Sequence, residues 1–200
     1  MADKIIVTIG RECGSGGHDV GEKLAKKLGI KFYDNKLINI AAKEMGFHED
    51  YIRSNEEKAP GFSAFIGSGD SISSLPNNDI HQAEFDLIQK IAEKESCVIV
   101  GRAADYILSD KKIATVFVFA PLEERIKRIG ENPKAYEKLL ADEVDVEKAI
   151  KTTDKQRRKF YEYYTDKKWG SRDSYDLLIN THQTGIDGAV AIIETYIDCL

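Results

Sequence analysis

Cysteine is scarce in this chain of 200 residues: Cys13, Cys97 and Cys199 are few, odd in number and far apart. That usage excludes a disulfide framework, and no Cys-x-x-Cys or Cys/His cluster points to zinc. Cys97, inside SCVIVG, reads as a buried strand residue. Long apolar runs are also missing. None approaches the roughly 20 residues of a membrane span, and MADKIIVTIG lacks the apolar length of a signal peptide, so a cytoplasmic location is expected. An excess of positive charge is absent as well: the net charge is −5. Strong nonspecific binding to nucleic acid or anionic lipid is not expected, although a local basic cleft is compatible with that total. No internal repeat is found. What remains is 42% apolar and 32% charged. That balance suits a globular chain, long enough to bury a substantial core as one domain or as one domain with a mobile insertion.

Apolar runs and helical stripes alternate along the chain. KIIVTIG suits a strand covered on both faces. From His18 to Leu28, Val20, Leu24 and Leu28 share a helical stripe, and Gly29 is a stop. IKFYD is a second strand, followed by a helix over about 35–45 that Gly46 ends. PGFSAFIGSGDSISSLPNN, 60–78, carries no period and reads as a mobile loop. Its apolar Phe62, Phe65 and Ile66 suit a substrate lid, a partner contact or a loop folded back on the surface. A helix over 79–94 precedes the third strand, SCVIVG. A short helix over 102–109 precedes the fourth, IATVFVFA. Pro121 suits the first position of the next helix. The charged segment from 143 to about 168 is helical in character, SYDLLINT is the fifth strand, and 185–199 a final helix. Such alternation predicts an α/β domain, with a mainly parallel five-stranded sheet and helices on both faces.

Ligands gather at the carboxyl ends of parallel strands, and there the first strand meets GRECGSGGHDVG. Gly14, Gly16 and Gly17 allow backbone N–H groups to converge on an anion, and the following helix dipole adds to the attraction. Ser15 completes the turn. A phosphate loop ordinarily continues with a lysine for the outer phosphates and a Ser/Thr for magnesium. Here Gly17, His18 and Asp19 follow Gly16. Arg11 or His18 is then the candidate for the missing cation, a guanidinium binding phosphate in a fork. An unperturbed histidine titrates near 6.5, which would make a His18-based charge depend on pH. His18 is otherwise a solvated helix start. Glu12 pairs with Arg11 or faces a magnesium ion.

VTIGRECGSGGHDVGEKLAKKLG, FYDNKLI, VIVGRAADYIL, FVFAPLEERIKRI and DKQRRKFYEYY together resemble, in this order, the divergent branch of the cytidylate kinase-like family of P-loop kinases. The resemblance covers nearly the whole chain and is weakest over 47–78. It implies the P-loop nucleoside monophosphate kinase fold, a three-layer sandwich with a helical lid over about 125–168 and a mobile loop over about 58–78. It also implies ATP with magnesium, and transfer of the γ-phosphoryl to an acceptor phosphate. Gly14 to His18 match the phosphate loop. Asp34 falls where an aspartate lies near the acceptor nucleotide; alternatively it caps the next helix. Arg102 matches an arginine that grips the acceptor phosphate, with a surface ion pair as the other reading. Arg125 and Arg128, at i and i+3 on one helix face, border the ATP-side lid or a solvated face. Arg157 and Arg158 begin the second lid arm and would close over phosphates, unless they are helix surface charge. Phe160, Tyr161 and Tyr164 pack a core or stack on a base.

Departures accompany the likeness. Gly17 replaces the lysine. Val100 and Ala103 stand where true cytidylate kinases flank the arginine with aspartates, and an apolar residue near 38–40 replaces a further arginine. In the divergent branch, as the resemblance has it, arginine usually stands where this chain has His18. Two functions follow. One is an enzyme acting on a small phosphorylated acceptor such as CMP or dCMP, with a phosphorylated metabolite as a further acceptor class. The other is a nucleotide sensor with the same fold and little transfer. The sequence leaves the oligomeric state, the metal ligands and the acceptor open.

Overall fold

A computed structural model describes residues 4–34, 78–141 and 145–200. The expected helix over 35–45 and nearly all of the expected loop over 58–78 lie outside them. Strands β1 (Ile6–Arg11), β2 (Lys31–Tyr33), β3 (Cys97–Val100), β4 (Ala114–Phe119) and β5 (Leu177–Asn180) form one sheet in the order β2-β3-β1-β4-β5. Every pairing is parallel, with Ile6 opposite Cys97 and Val7 opposite Ala114. The central strands are apolar on both faces because helices cover both.

On one face, Val7, Ile9, Val98, Val100, Val116 and Val118 pack against helix α1 (Gly17–Leu28) and the C-terminal helix α7 (Thr181–Asp198). On the other, Ile6, Cys97 and Ile99 meet α2 (Asn78–Lys94) and the short α3 (Ala104–Ile107). Cys97 is a fully buried strand residue, as its setting in SCVIVG suggests. Beyond β4 come α4 (Leu122–Glu131), a 3₁₀ turn (Pro133–Tyr136), α5 (Glu137–Ala141) and α6 (Val146–Tyr164). The sheet and its two helical layers are the α/β arrangement that the alternation predicts, with the P-loop kinase architecture that the resemblance implies.

Three boundaries differ from expectation. Pro121 is the N-cap of α4, not its first residue, with φ −52° and ψ 144°. Asp145 starts α6 by accepting hydrogen bonds from the N–H groups of Glu147 and Lys148, so the helix begins later than the charge pattern suggested. The last helix begins at Thr181, with Asn180 as its cap, and breaks at Gly185 (φ 65°, ψ 179°). The apolar period only becomes regular beyond that kink.

The site follows from the strand order. β1 connects to β2 on one side and β3 to β4 on the other, so the adjacent carboxyl ends of β1 and β3 form a topological switch point. The glycine loop follows β1 there.

Candidate active site

The loop between β1 and α1 is fastened on its outer side. Glu12 N–H donates to Val118 O at 3.0 Å, and the Glu12 carboxylate accepts from Ala120 N–H at 3.2 Å. The Ser15 hydroxyl turns back to Glu12 O at 2.9 Å, and the Thr181 hydroxyl donates to Ser15 O at 2.6 Å. Ser15, fully buried, therefore supports the loop with its side chain. The inner side differs. Gly14 and Gly16 have φ of 74° and 80°, and no side chain caps the start of α1 at Gly16. The first N–H groups of a helix have no intrahelical partner. Together with the helix dipole they give this terminus a field that attracts anions.

Arg11 crosses this site. A Cβ added to Gly17 would lie 2.5 Å from Arg11 Cβ, and one added to Gly101 would overlap Arg11 Nη1. The Arg11 side chain thus runs over the bare Cα of Gly17, where the lysine would stand, to the end of β3 at Gly101. Two more arginines lie near its tip. Burial first, then the charges of Arg157 and Arg102, push the Arg11 pKa well below its ordinary value. A guanidinium stays protonated through such a shift. The direction marks a cluster of cations that an anion would relieve.

Each neighbour is held in place. Arg157 donates from Nη1 to Arg11 O at 3.1 Å. Arg102 pairs with Glu84 at 3.1 Å, and Glu84 is only 2% exposed. Arg102 has φ 60° and Ala103 φ 51°, directly after Gly101 at φ 88°. Left-handed backbone at non-glycine residues costs of order 1–3 kcal/mol each and concentrates at functional sites.

Arg125 and Arg128 share a face, as their spacing requires, but that face holds the loop backbone rather than solvent. Arg128 Nη1 donates to Gly14 O at 2.8 Å. Arg125, 8% exposed, bonds Asp154 at 2.5 Å and Cys13 O at 3.4 Å. Asp154 in turn accepts from Cys13 N–H at 2.7 Å. Glu12 pairs with Arg125, at 3.6 Å from Nε, and not with Arg11 as one reading had it. Its carboxyl is raised by burial, with Arg125 opposing. Removing one partner of a buried pair leaves the other charge uncompensated. Asp154→Ala should therefore lower stability by about 3 kcal/mol or more, measured by urea unfolding, with Asp154→Asn milder. Loss of under about 1 kcal/mol would place this pair with ordinary surface bridges.

His18 stands at the mouth. Its Nε2 is 3.2 Å from Asp34 Oδ2, its Nδ1 3.7 Å from Asp19, and its ring meets Phe32 edge-on at 5.2 Å. Asp19 and then Asp34 raise its pKa to about 9, against a smaller effect of burial. A His18 charge sensitive around pH 6.5 is thus replaced by one that is present at neutral pH. The folded pKa is raised, so the stabilisation is full below about 6.5. It is lost as pH rises through about 9. A proton-NMR titration should place the His18 midpoint near 9, and His18→Gln should flatten stability against pH between the two values. A midpoint at the unperturbed value would remove the pairing.

The described residues contain no group of three or more His, Cys, Asp or Glu arranged to hold a metal. Asp34, directly after β2, lies beside the helix start through His18, and Glu12 lies in the loop itself. Farther along α6, Arg158 lies 5.7 Å over the Trp169 ring. Phe160 and Tyr164 contact each other at 4.9 Å. Tyr161 is a core residue, 4% exposed.

Sequence reasoning missed Glu84, Asp154, Asp105 and Thr181. Glu84 had a signal: it falls four and seven residues before Ile88 and Ile91 on the buried stripe of α2. A carboxylate there needs a partner.

Residues 6–183 match the sequence model of the Cytidylate kinase-like family. A cytidylate kinase of Thermococcus kodakarensis is 28% identical over 198 residues, 98% of this chain and 89% of that protein. One of Desulfurococcus amylolyticus is 33% identical over 112 residues, 56% of this chain and 57% of that protein. Among solved structures, an uncharacterized protein from Eubacterium ventriosum is 32% identical at a TM-score of 0.70, covering 98% of this chain and 99% of that one. A shikimate kinase from Acinetobacter baumannii, 20% identical at a TM-score of 0.55 and covering 98% and 94% of the two chains, shares the fold. The match takes in the glycine loop, the strand-end arginine and the long α6 in one alignment: the chain belongs to the cytidylate kinase-like family.

Proposed function

We propose that this protein transfers the γ-phosphoryl group of Mg-ATP to the phosphate of a small nucleoside monophosphate, CMP or dCMP being the first candidates. The observation that carries the reading is the convergence of Arg11, Arg102 and Arg157 beside an uncapped, glycine-rich helix start. Phosphoryl transfer passes through a loose transition state with charge spread over the equatorial oxygens, and catalysis is positioning plus electrostatic stabilisation. The loop N–H groups and the α1 terminus hold the donor phosphates. Arg11, which runs over Gly17 to Gly101, stands in for the lysine. Arg102, fixed by Glu84, takes the acceptor phosphate. Arg157 and Arg158 neutralise charge from α6, and Asp34 with His18 lies toward the acceptor. Arg125 and Arg128 act on the donor side through the loop carbonyls they hold. Magnesium comes as part of the ATP complex.

The names of the Thermococcus and Desulfurococcus relatives, cytidylate kinases, favour cytidine as the base. The experiment is ADP formation from Mg-ATP with a panel of nucleoside monophosphates and an acceptor-free control. Turnover with CMP or dCMP well above the control is the expected result. Mg-ATP binding without acceptor-dependent ADP would overturn it and leave a nucleotide-binding protein.

A further inference from the structure

We infer that the buried hydrogen bond between Tyr161 and Asp105 is a positioning device, which sets the distance between Arg102 and Arg157 and hence the grip of that pair on a phosphate group. The inference rests on the phosphate-site reading above. Neither residue reaches the cleft. Asp105 is 6% exposed and Tyr161 4%, and the Tyr161 hydroxyl donates to Asp105 Oδ2 at 2.7 Å. This bond joins two elements that carry the arginines. Tyr161 lies one turn beyond Arg157 on the same face of α6. Asp105 is in the first turn of α3, three residues after Arg102.

A clamp is needed there. The charges of Arg102 and Arg157 both act on Arg11, so without a ligand Arg11 pushes against both of the elements that carry them. The segment carrying Arg102 is also held in left-handed backbone at Arg102 and Ala103. It persists only where its surroundings over-determine it. Glu84 ties Arg102 to α2, and Arg157 ties α6 to the loop backbone. Of these bonds, Tyr161–Asp105 is the one that joins the Arg102 segment to α6 directly. The stack extends toward the loop: the Tyr161 and Tyr175 rings lie 5.9 Å apart, and a Cβ on Gly10 would meet Tyr175 Oη at 3.0 Å. Tyr161 carries this bond while its ring packs with Phe117, Tyr175 and Ala103. A phenylalanine would serve that packing alone.

The test measures inorganic tripolyphosphate binding by calorimetry, which needs neither the base nor catalysis. Tyr161→Phe should weaken binding about tenfold, since small misplacements of gripping groups cost that much or more. Asp105→Asn keeps an acceptor for the hydroxyl and should bind within about threefold of the unaltered chain, its softer hydrogen bond costing little. In an Arg157→Gln background, Tyr161→Phe should have almost no further effect on affinity, because the group it positions is gone. Full affinity in a folded Tyr161→Phe protein would overturn the inference, since a merely structural bond lowers only the melting temperature. So would an Asp105→Asn protein that folds yet loses as much affinity as Tyr161→Phe. If the unaltered chain binds neither tripolyphosphate nor Mg-ATP, the phosphate-site reading itself fails, and this inference with it.

Discussion

Arg11→Ala should lower the affinity for Mg-ATP by about 10- to 100-fold, the worth of a hydrogen-bonded charge, while Lys23→Ala changes it by less than about twofold, as expected of an exposed pair. Both residues are cations near the glycine loop. Lys23 lies on the outer face of α1, pairs with Asp187 and has a half-exposed side chain. Arg11 is threaded between Gly17 and Gly101 beside Arg102 and Arg157. A second readout separates lost binding from lost structure. Removing the Arg11 charge relieves its repulsion with Arg157 and Arg102 while the lost packing of its side chain opposes that gain, so the melting temperature of the ligand-free chain should change little. The stabilisation added by saturating Mg-ATP, which grows with the logarithm of ligand over dissociation constant, should collapse. Equal and small effects of the two substitutions in calorimetry would sink the assignment of Arg11.

The fold was legible because its signals are local. β-branched runs such as KIIVTIG and IATVFVFA are buried on both sides, and the glycine that ends α1 interrupts a clear stripe. The strand order depends on contacts between distant segments, and only the alternation of strands and helices hinted at it. For the site, the glycine cluster and the arginines stood out as residue types, but their directions did not. Arg125 and Arg128 share a face in any helix with that spacing; that the face holds Cys13 O and Gly14 O is a tertiary fact. Asp154 was hidden in KTTDKQRRK, where one carboxylate among cations reads as solvated charge. Buried charges and surface charges have the same letters. What distinguishes them is the partner that burial requires, and these partners lie 29 residues away for Asp154 and Arg125 and 18 for Arg102 and Glu84. His18 was read at its ordinary pKa although Asp19, the larger cause of its shift, is its neighbour in sequence; the approach of Asp34, just beyond β2, is a tertiary fact.

Gly17 is the residue where the sequence showed an absence and the structure shows an occupant, and this yields the sharpest expectation. Restoring the lysine, Gly17→Lys, should abolish most nucleotide binding instead of improving it. The new Cβ would sit 2.5 Å from Arg11 Cβ and near Val118 Cβ at 3.3 Å. Overpacking of this kind costs about 1–3 kcal/mol and displaces whichever side chain yields. Val118 is fully buried in the sheet and the Arg11 atom met is its Cβ, which no rotamer moves, so the backbone at Arg11 and the helix start must shift apart, and the second cation is gained only by carrying the first out of place. Adding Arg11→Gly to Gly17→Lys should then recover much of the lost affinity, because this change removes the Cβ and Cγ that the new side chain meets and the lysine takes the position it has in ordinary phosphate loops. The double variant should bind Mg-ATP better than either single one. A coupling of that sign between neighbours sharing one volume is what a double-mutant cycle measures. Simple additivity of the two losses would mean that Arg11 and a lysine at 17 do not compete for one place, and that the charge facing the phosphates comes from elsewhere in the cluster.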